Sequence, residues 1–256
     1  MSADTVEFLQ REDGERIAYM QRGGKPPGIV WLGGFKSEMI GNKARALDAW
    51  SARQGHAFLR FDYFGHGQSS GDFRMGTITR WRNDALAMID ALTEGPQILI
   101  GSSMGAWIAL LCAIERTQRA KALLLIAPAT DFTEALLWQK LTDDARRSIN
   151  EQGEWLAASA YDSNPYPITR ALIEDGRKHL LLDCGALRRL SLPVRVLQGM
   201  RDPDVPWAHA VRLAENMEGD VRLVLIREGD HRLSTPGDLR LIERELEALI
   251  SEVSSA

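Results

Sequence analysis

Ser103 stands in Gly101-Ser102-Ser103-Met104-Gly105, a G-x-S-x-G pattern. A serine hydroxyl is a weak nucleophile until a neighbouring base takes its proton. The pattern sets such a serine on a sharp turn between a strand and a helix, and small flanking residues are needed because the two elements pass close together there. Both elements are legible: Ile98-Leu99-Ile100 runs into the turn, and Ala106-Trp107-Ile108-Ala109-Leu110-Leu111 runs out of it. A second match, Gly67-Gln68-Ser69-Ser70-Gly71, acts as an internal control. It follows Asp62-Tyr63-Phe64-Gly65-His66, with no apolar strand directly before it and no helical period directly after, so it reads as a loop. Ser103 is the candidate nucleophile.

Its base must be one of five histidines. His56 begins a strand, His179 lies in a helical stretch and His209 in the helix after Trp207; His66, in the glycine loop, could face the site. His231 is the better candidate, because Arg227-Glu228-Gly229-Asp230-His231 directly follows the apolar run Val221 to Ile226. A loop at the C-terminal end of a parallel strand is where such sites are built. The acid that orients the imidazole should come from the loop after the preceding strand, Gly199-Met200-Arg201-Asp202-Pro203-Asp204-Val205-Pro206. Asp202 and Asp204 compete, and either could instead cap the next helix; Asp202 is favoured. Oxyanion donors are expected at the N–H of Phe35, after the glycine pair Gly33-Gly34, and at the N–H of Met104, which follows the serine. With no clustered Cys/His ligand spacing and no phosphate-binding glycine loop, no metal and no cofactor are expected, and acyl transfer to water is the economical chemistry.

These residues need a sheet to hold them. Glu7-Phe8-Leu9 and Ile17 to Met20 read as an antiparallel pair, followed by buried strands at Gly28 to Leu32, His56 to Asp62, Ile98 onward, Ala122 to Pro128, Pro193 to Gly199 and Val221 to Ile226. Helical periods lie between them, at Ala44 to Gln54, Thr77 to Leu92, Trp207 to Met217 and Pro236 to Ile250. Such alternation predicts an α/β fold with a mostly parallel central sheet flanked by helices. One stretch breaks the rhythm. Residues 130–192 show helical patterning and no convincing strand, and are expected to form an inserted helical cap over a core of residues 1–129 and 193–256. Within it Leu136, Leu137, Trp138, Trp155, Tyr161 and Tyr166 could line an apolar pocket, with Trp138 and Trp155 as candidate substrate contacts.

Composition narrows the partners. A formal charge of −4 and a pI near 5.8 leave no basic footprint for nucleic acid. Cys112 and Cys184 are too few for a disulfide framework, and no apolar run is long enough to span a bilayer. The N-terminal Met-Ser-Ala-Asp-Thr-Val-Glu has neither a secretory nor an Arg-rich pattern, so a cytoplasmic enzyme is expected, acting on a small-molecule acyl ester or an acylated protein.

The motifs together resemble the α/β-hydrolase superfamily and, within it, the branch of mitochondrial α/β-hydrolase domain-containing protein ten. The resemblance is carried by Trp31-Leu32-Gly33-Gly34-Phe35, Arg60-Phe61-Asp62-Tyr63-Phe64-Gly65, Trp81-Arg82, the run from Gly95 to Gly105, Gly199-Met200-Arg201-Asp202, Val205-Pro206-Trp207 and Asp230-His231-Arg232, covering nearly the whole chain. The chain order Ser103, Asp202, His231 is that of the superfamily. The resemblance implies serine hydrolysis of acyl thioesters, including S-palmitoylated cysteines, and of acyl glucuronides. Ala106 stands where the family has a further glycine, and no mitochondrial presequence is seen. A small-molecule carboxylesterase, or a binding protein that keeps the fold without the chemistry, are the alternatives.

Overall fold

The computed structural model describes residues 5–158 and 164–255. The chain begins with β1 (Glu7–Gln10), β2 (Arg16–Arg22) and β3 (Lys25–Leu32), then α1 (Asn42–Gln54), β4 (His56–Phe61) and α2 (Ile78–Leu92). It continues with β5 (Gln97–Ser102), α3 (Met104–Glu115) and β6 (Ala120–Ile126). The segment between β6 and β9, expected from the sequence to be an insertion, carries α4 (Asp143–Gln152), β7 (Glu154–Ala157), β8 (Tyr166–Thr169) and α5 (Arg170–Gly176), before β9 (Val194–Gly199), α6 (Trp207–Glu215), β10 (Val221–Ile226) and α7 (Pro236–Ser255) close the fold.

Eight strands form one sheet in the order β1-β2-β4-β3-β5-β6-β9-β10. Only the pairings of β2, with β1 and with β4, are antiparallel; the rest of the sheet is parallel. Its central strands β5, β6 and β9 are buried along nearly their whole length because both faces are covered. The two-residue period of a strand sends Val30, Leu99, Leu123 and Leu125 into a core shared with α2, α3 and α6. The alternate residues Ile29, Ile98, Ile100, Leu124 and Ile126 enter a second core against α1 and α7. Full burial of one such side chain contributes roughly 1.5–3 kcal/mol. Helix α3 has no polar face at all: Met104 to Ala113 are buried throughout, because the sheet lies on one side and the inserted segment on the other, where the Trp107 indole N–H donates to the His179 carbonyl at 3.0 Å.

The inserted segment differs from its sequence reading. Its helices are short, and β7 and β8 pair antiparallel as a separate two-stranded sheet, Glu154 opposite Thr169 and Ala157 opposite Tyr166. The strands escaped the periodicity argument because each is four residues long and Pro167 interrupts the second. Gly153, at φ 89°, ends α4 and turns the chain directly into β7.

Candidate active site

The turn between β5 and α3 holds Ser103 at φ 54° and ψ −120°, a conformation that costs a non-glycine residue free energy and persists only where the surroundings enforce it. Here they do. The Ser103 N–H donates to the Ile126 carbonyl at 2.9 Å, and the Ser103 carbonyl accepts from Ala106 at 3.0 Å and Ala129 at 3.2 Å. The flanking glycines are steric necessities: a Cβ on Gly101 would overlap the backbone of Gly105 and Ala106, and one on Gly105 would overlap the carbonyls of Leu32 and Gly33. Ala106, the next residue, is fully buried.

Two further loops, at the C-terminal ends of β9 and β10, reach the same point. They are tied by Met200 N–H to the Ile226 carbonyl and Arg201 N–H to the Gly229 carbonyl, both 2.9 Å. His231 then bridges the chain's distant parts: its Nδ1 lies 2.8 Å from Asp202 Oδ2 and its Nε2 lies 3.1 Å from Ser103 Oγ. An ionised carboxylate only accepts, so Nδ1 carries the ring proton and Nε2 is left with the lone pair that faces the hydroxyl. Burial works against ionising Asp202, but the His231 hydrogen bond and charge, the Val205 N–H and the Gln198 amide outweigh it and hold the carboxyl below its ordinary value. Asp202 Oδ1 accepts the N–H groups of Asp204 and Val205 at 2.8 and 2.9 Å, so Asp204 contributes backbone to the acid's cradle. Ligand-type atoms of Asp202, Asp204 and His231 lie within 4.8 Å of one another, but both Asp202 oxygens and both His231 nitrogens already have hydrogen-bond partners.

Phe35 and Met104 border the same cavity as Ser103. Met104 opens α3, where an N–H has no acceptor within the helix. The loop bearing Phe35 is braced from behind by His66, whose Nε2 accepts the Lys36 N–H at 3.1 Å while Nδ1 donates to the Phe64 carbonyl at 3.1 Å. Burial pushes the His66 pKa down to about 4, which keeps the ring neutral and able to accept. The control serine, Ser69, is structural: its hydroxyl donates to the Asp62 carbonyl at 2.6 Å and accepts from Ala18 N–H at 2.8 Å. His56, His179 and His209 bond to Pro27, Thr79 and Thr130, away from Ser103.

The cavity above Ser103 measures roughly 600 Å³, the size of a small-molecule site. Leu136, Leu137 and Tyr166 line it; Tyr161 lies outside the described residues. Trp138 and Trp155 do not line it, which corrects their assignment as substrate contacts. They pack on Ile149, Ile168 and Ile173 in a small core of the inserted segment, with the Arg177 guanidinium 4.9 Å from the centre of the Trp138 ring. Aromatic composition alone does not distinguish a pocket wall from the interior that supports it. Gln198 was missed altogether. Its amide, 3.0 Å from both Asp202 Oδ2 and the Val205 carbonyl, fixes the acid loop, and its signal was a lone buried amide in an otherwise apolar strand end.

A family model described as serine aminopeptidase, S33 matches residues 33–169, more than half of the chain. The chain is also 36% identical over 253 residues to palmitoyl-protein thioesterase ABHD10, mitochondrial, of Mus musculus, spanning 98% of this chain and 84% of that protein. The chain belongs to the α/β-hydrolase family. Among solved structures, this hydrolase matches alpha/beta hydrolase domain-containing protein 10 from mouse with a TM-score of 0.89 and 36% identity, over 97% of this chain and 99% of that one. A structure from Agrobacterium vitis S4 matches with a TM-score of 0.90 and 41% identity, over 96% and 99% of the two chains.

Proposed function

We propose that this hydrolase is a serine esterase or thioesterase that cleaves acyl substrates through a covalent acyl-enzyme. The observation that carries the reading is the placement of His231 between Ser103 Oγ and Asp202 Oδ2. As the Ser103 oxygen attacks the acyl carbonyl carbon, its proton passes to His231 Nε2, and Asp202 stabilises the imidazolium that forms. Negative charge develops on the carbonyl oxygen, where the Phe35 and Met104 N–H groups would receive it; one such donor is typically worth roughly 2.7–4 kcal/mol of barrier. Collapse breaks the bond to the leaving alcohol or thiol, which departs with the His231 proton. Water, deprotonated by the same nitrogen, then releases the acid and restores the serine.

The mouse relative's name, palmitoyl-protein thioesterase, supports an acyl thioester as substrate, and the inserted segment, read as a cap, supplies apolar wall for an acyl chain in Phe132, Leu136, Leu137 and Ile168. The test is turnover of p-nitrophenyl esters and matched thioesters from acetyl to palmitoyl, with Ser103→Ala beside the wild type. Serine-dependent turnover that favours longer thioesters is expected. Turnover confined to short esters would reassign the protein as a small-molecule carboxylesterase, and activity retained in Ser103→Ala would remove the mechanism.

A further inference from the structure

The cavity at Ser103 has two unlike walls. The inserted segment contributes Phe132, Leu136, Leu137 and Ile168, while the loop after β3, α1 and the loop after β10 contribute Lys36, Lys43 and Arg232; Lys140 adds another cation at the edge of the inserted segment. Against these four cationic side chains the described lining contains one carboxylate, Asp204. Among the described lining residues the cations therefore outnumber the carboxylates, the reverse of a chain whose formal net charge is −4. Like charges gathered around a concave, low-dielectric wall focus their potential into it and draw anions in.

Lys43 sharpens the point. Its ammonium donates to the Arg232 carbonyl, next to His231, and burial pushes its pKa down to about 8, with Asp230 and Asp238 opposing the shift and the Arg232 charge adding to it. Lys36 is exposed at the mouth, its Nζ 4.2 Å from the centre of the Phe73 ring, which is itself packed on Phe35 at 4.9 Å.

We propose that the leaving group is polyanionic, and that the substrate class is an acyl thioester of a phosphorylated thiol of the coenzyme A type. The acyl chain lies against the apolar wall and the phosphates lie over the cationic rim. A single carboxylate, as on a sugar acid, needs one cation; cations from separate parts of the chain match a leaving group charged at several points. The inference rests on the thioesterase chemistry proposed for Ser103: the C–S bond breaks, the thiol leaves with the His231 proton, and water completes the cycle.

The test compares octanoyl-coenzyme A with octanoyl-pantetheine, which has the same acyl chain and thioester without the nucleotide phosphates. Serine-dependent hydrolysis of p-nitrophenyl octanoate serves as the control. At low ionic strength kcat/KM for the coenzyme A ester is expected to be higher by roughly tenfold or more, an advantage that shrinks as salt is added. In Lys36→Gln/Lys140→Gln the ratio between the two thioesters is expected to fall toward one, chiefly through KM. Both side chains are exposed, and the Lys36 bond to His66 is made by backbone, so the pair is compatible with folding; the salt dependence of the wild type stands independently of it. Equal wild-type rates on the two thioesters would overturn the polyanionic leaving group and leave the thioesterase reading standing. Hydrolysis of the p-nitrophenyl ester with neither thioester turned over would overturn both, and a preference for an octanoyl glucuronate over octanoyl-coenzyme A would overturn the phosphate assignment.

Discussion

At the scale of single residues, the choice between Asp202 and Asp204 shows what spacing can and cannot decide. Both lie in one short loop ahead of α6, and their sequence separation of two gives no reason why one carboxylate and not the other should meet the imidazole. The deciding contact is long-range: His231, from beyond β10, meets Asp202 Oδ2, which also accepts the Gln198 amide from the end of β9. Asp202→Asn is expected to lower kcat on the order of ten-thousandfold, because an amide can present the wrong partner to Nδ1 and stabilises no imidazolium. Asp204→Asn keeps the backbone N–H that Asp202 accepts and is expected to have a small effect. The two variants assayed side by side on one p-nitrophenyl ester check this; equal losses would reassign the acid. The turn at Ser103, by contrast, is legible in the sequence, since its glycines answer a local steric demand that the sequence itself displays.

At the scale of elements, the strands and helices of the sheet are legible because their burial is periodic and each is long enough to display the period. The β7–β8 pair is not, being short strands whose partner is set by the path of the inserted segment. Trp138 and Trp155 fail for a related reason: the side of the segment that faces the cavity depends on how its pieces fold on one another. The loop after β3 is a contrasting case, in which a backbone proposed to carry an oxyanion donor is held by a side chain from another loop. His66→Ala removes the acceptor of the Lys36 N–H and is expected to lower kcat by roughly tenfold to a thousandfold with little change in KM, the signature of a misplaced oxyanion donor. His66→Gln, which retains an acceptor, is expected to recover part of the loss. Because the His66 pKa is near 4, the effect should be independent of pH above about 5, and a loss that appears only in KM would refute the bracing role.

At the scale of the whole molecule, stability carries the imprint of carboxylates buried to hold loops. Asp84, on α2, accepts the Phe64 N–H at 3.0 Å, while Arg80 and Arg11 stand off at 3.5 and 3.7 Å from its other oxygen. Burial therefore dominates and pushes its pKa up to about 6. Between the ordinary value of 3.8 and about 6 the folded chain keeps a proton that the unfolded chain has lost, so this group's contribution to stability falls as pH rises through that window. The Tm of Asp84→Asn relative to wild type is expected to rise across the same window and then level off; a flat difference would contradict it. The fold also gathers residues from three distant parts of the sequence at one end of the sheet, and no local signal fixes the distances between them. That convergence is the central claim, and reaction with a fluorophosphonate, read by intact mass and peptide mapping, tests it most directly. The account requires one adduct on Ser103, absent in Ser103→Ala and formed far more slowly in His231→Ala. An adduct on any other residue, or none on the folded wild type, would contradict it.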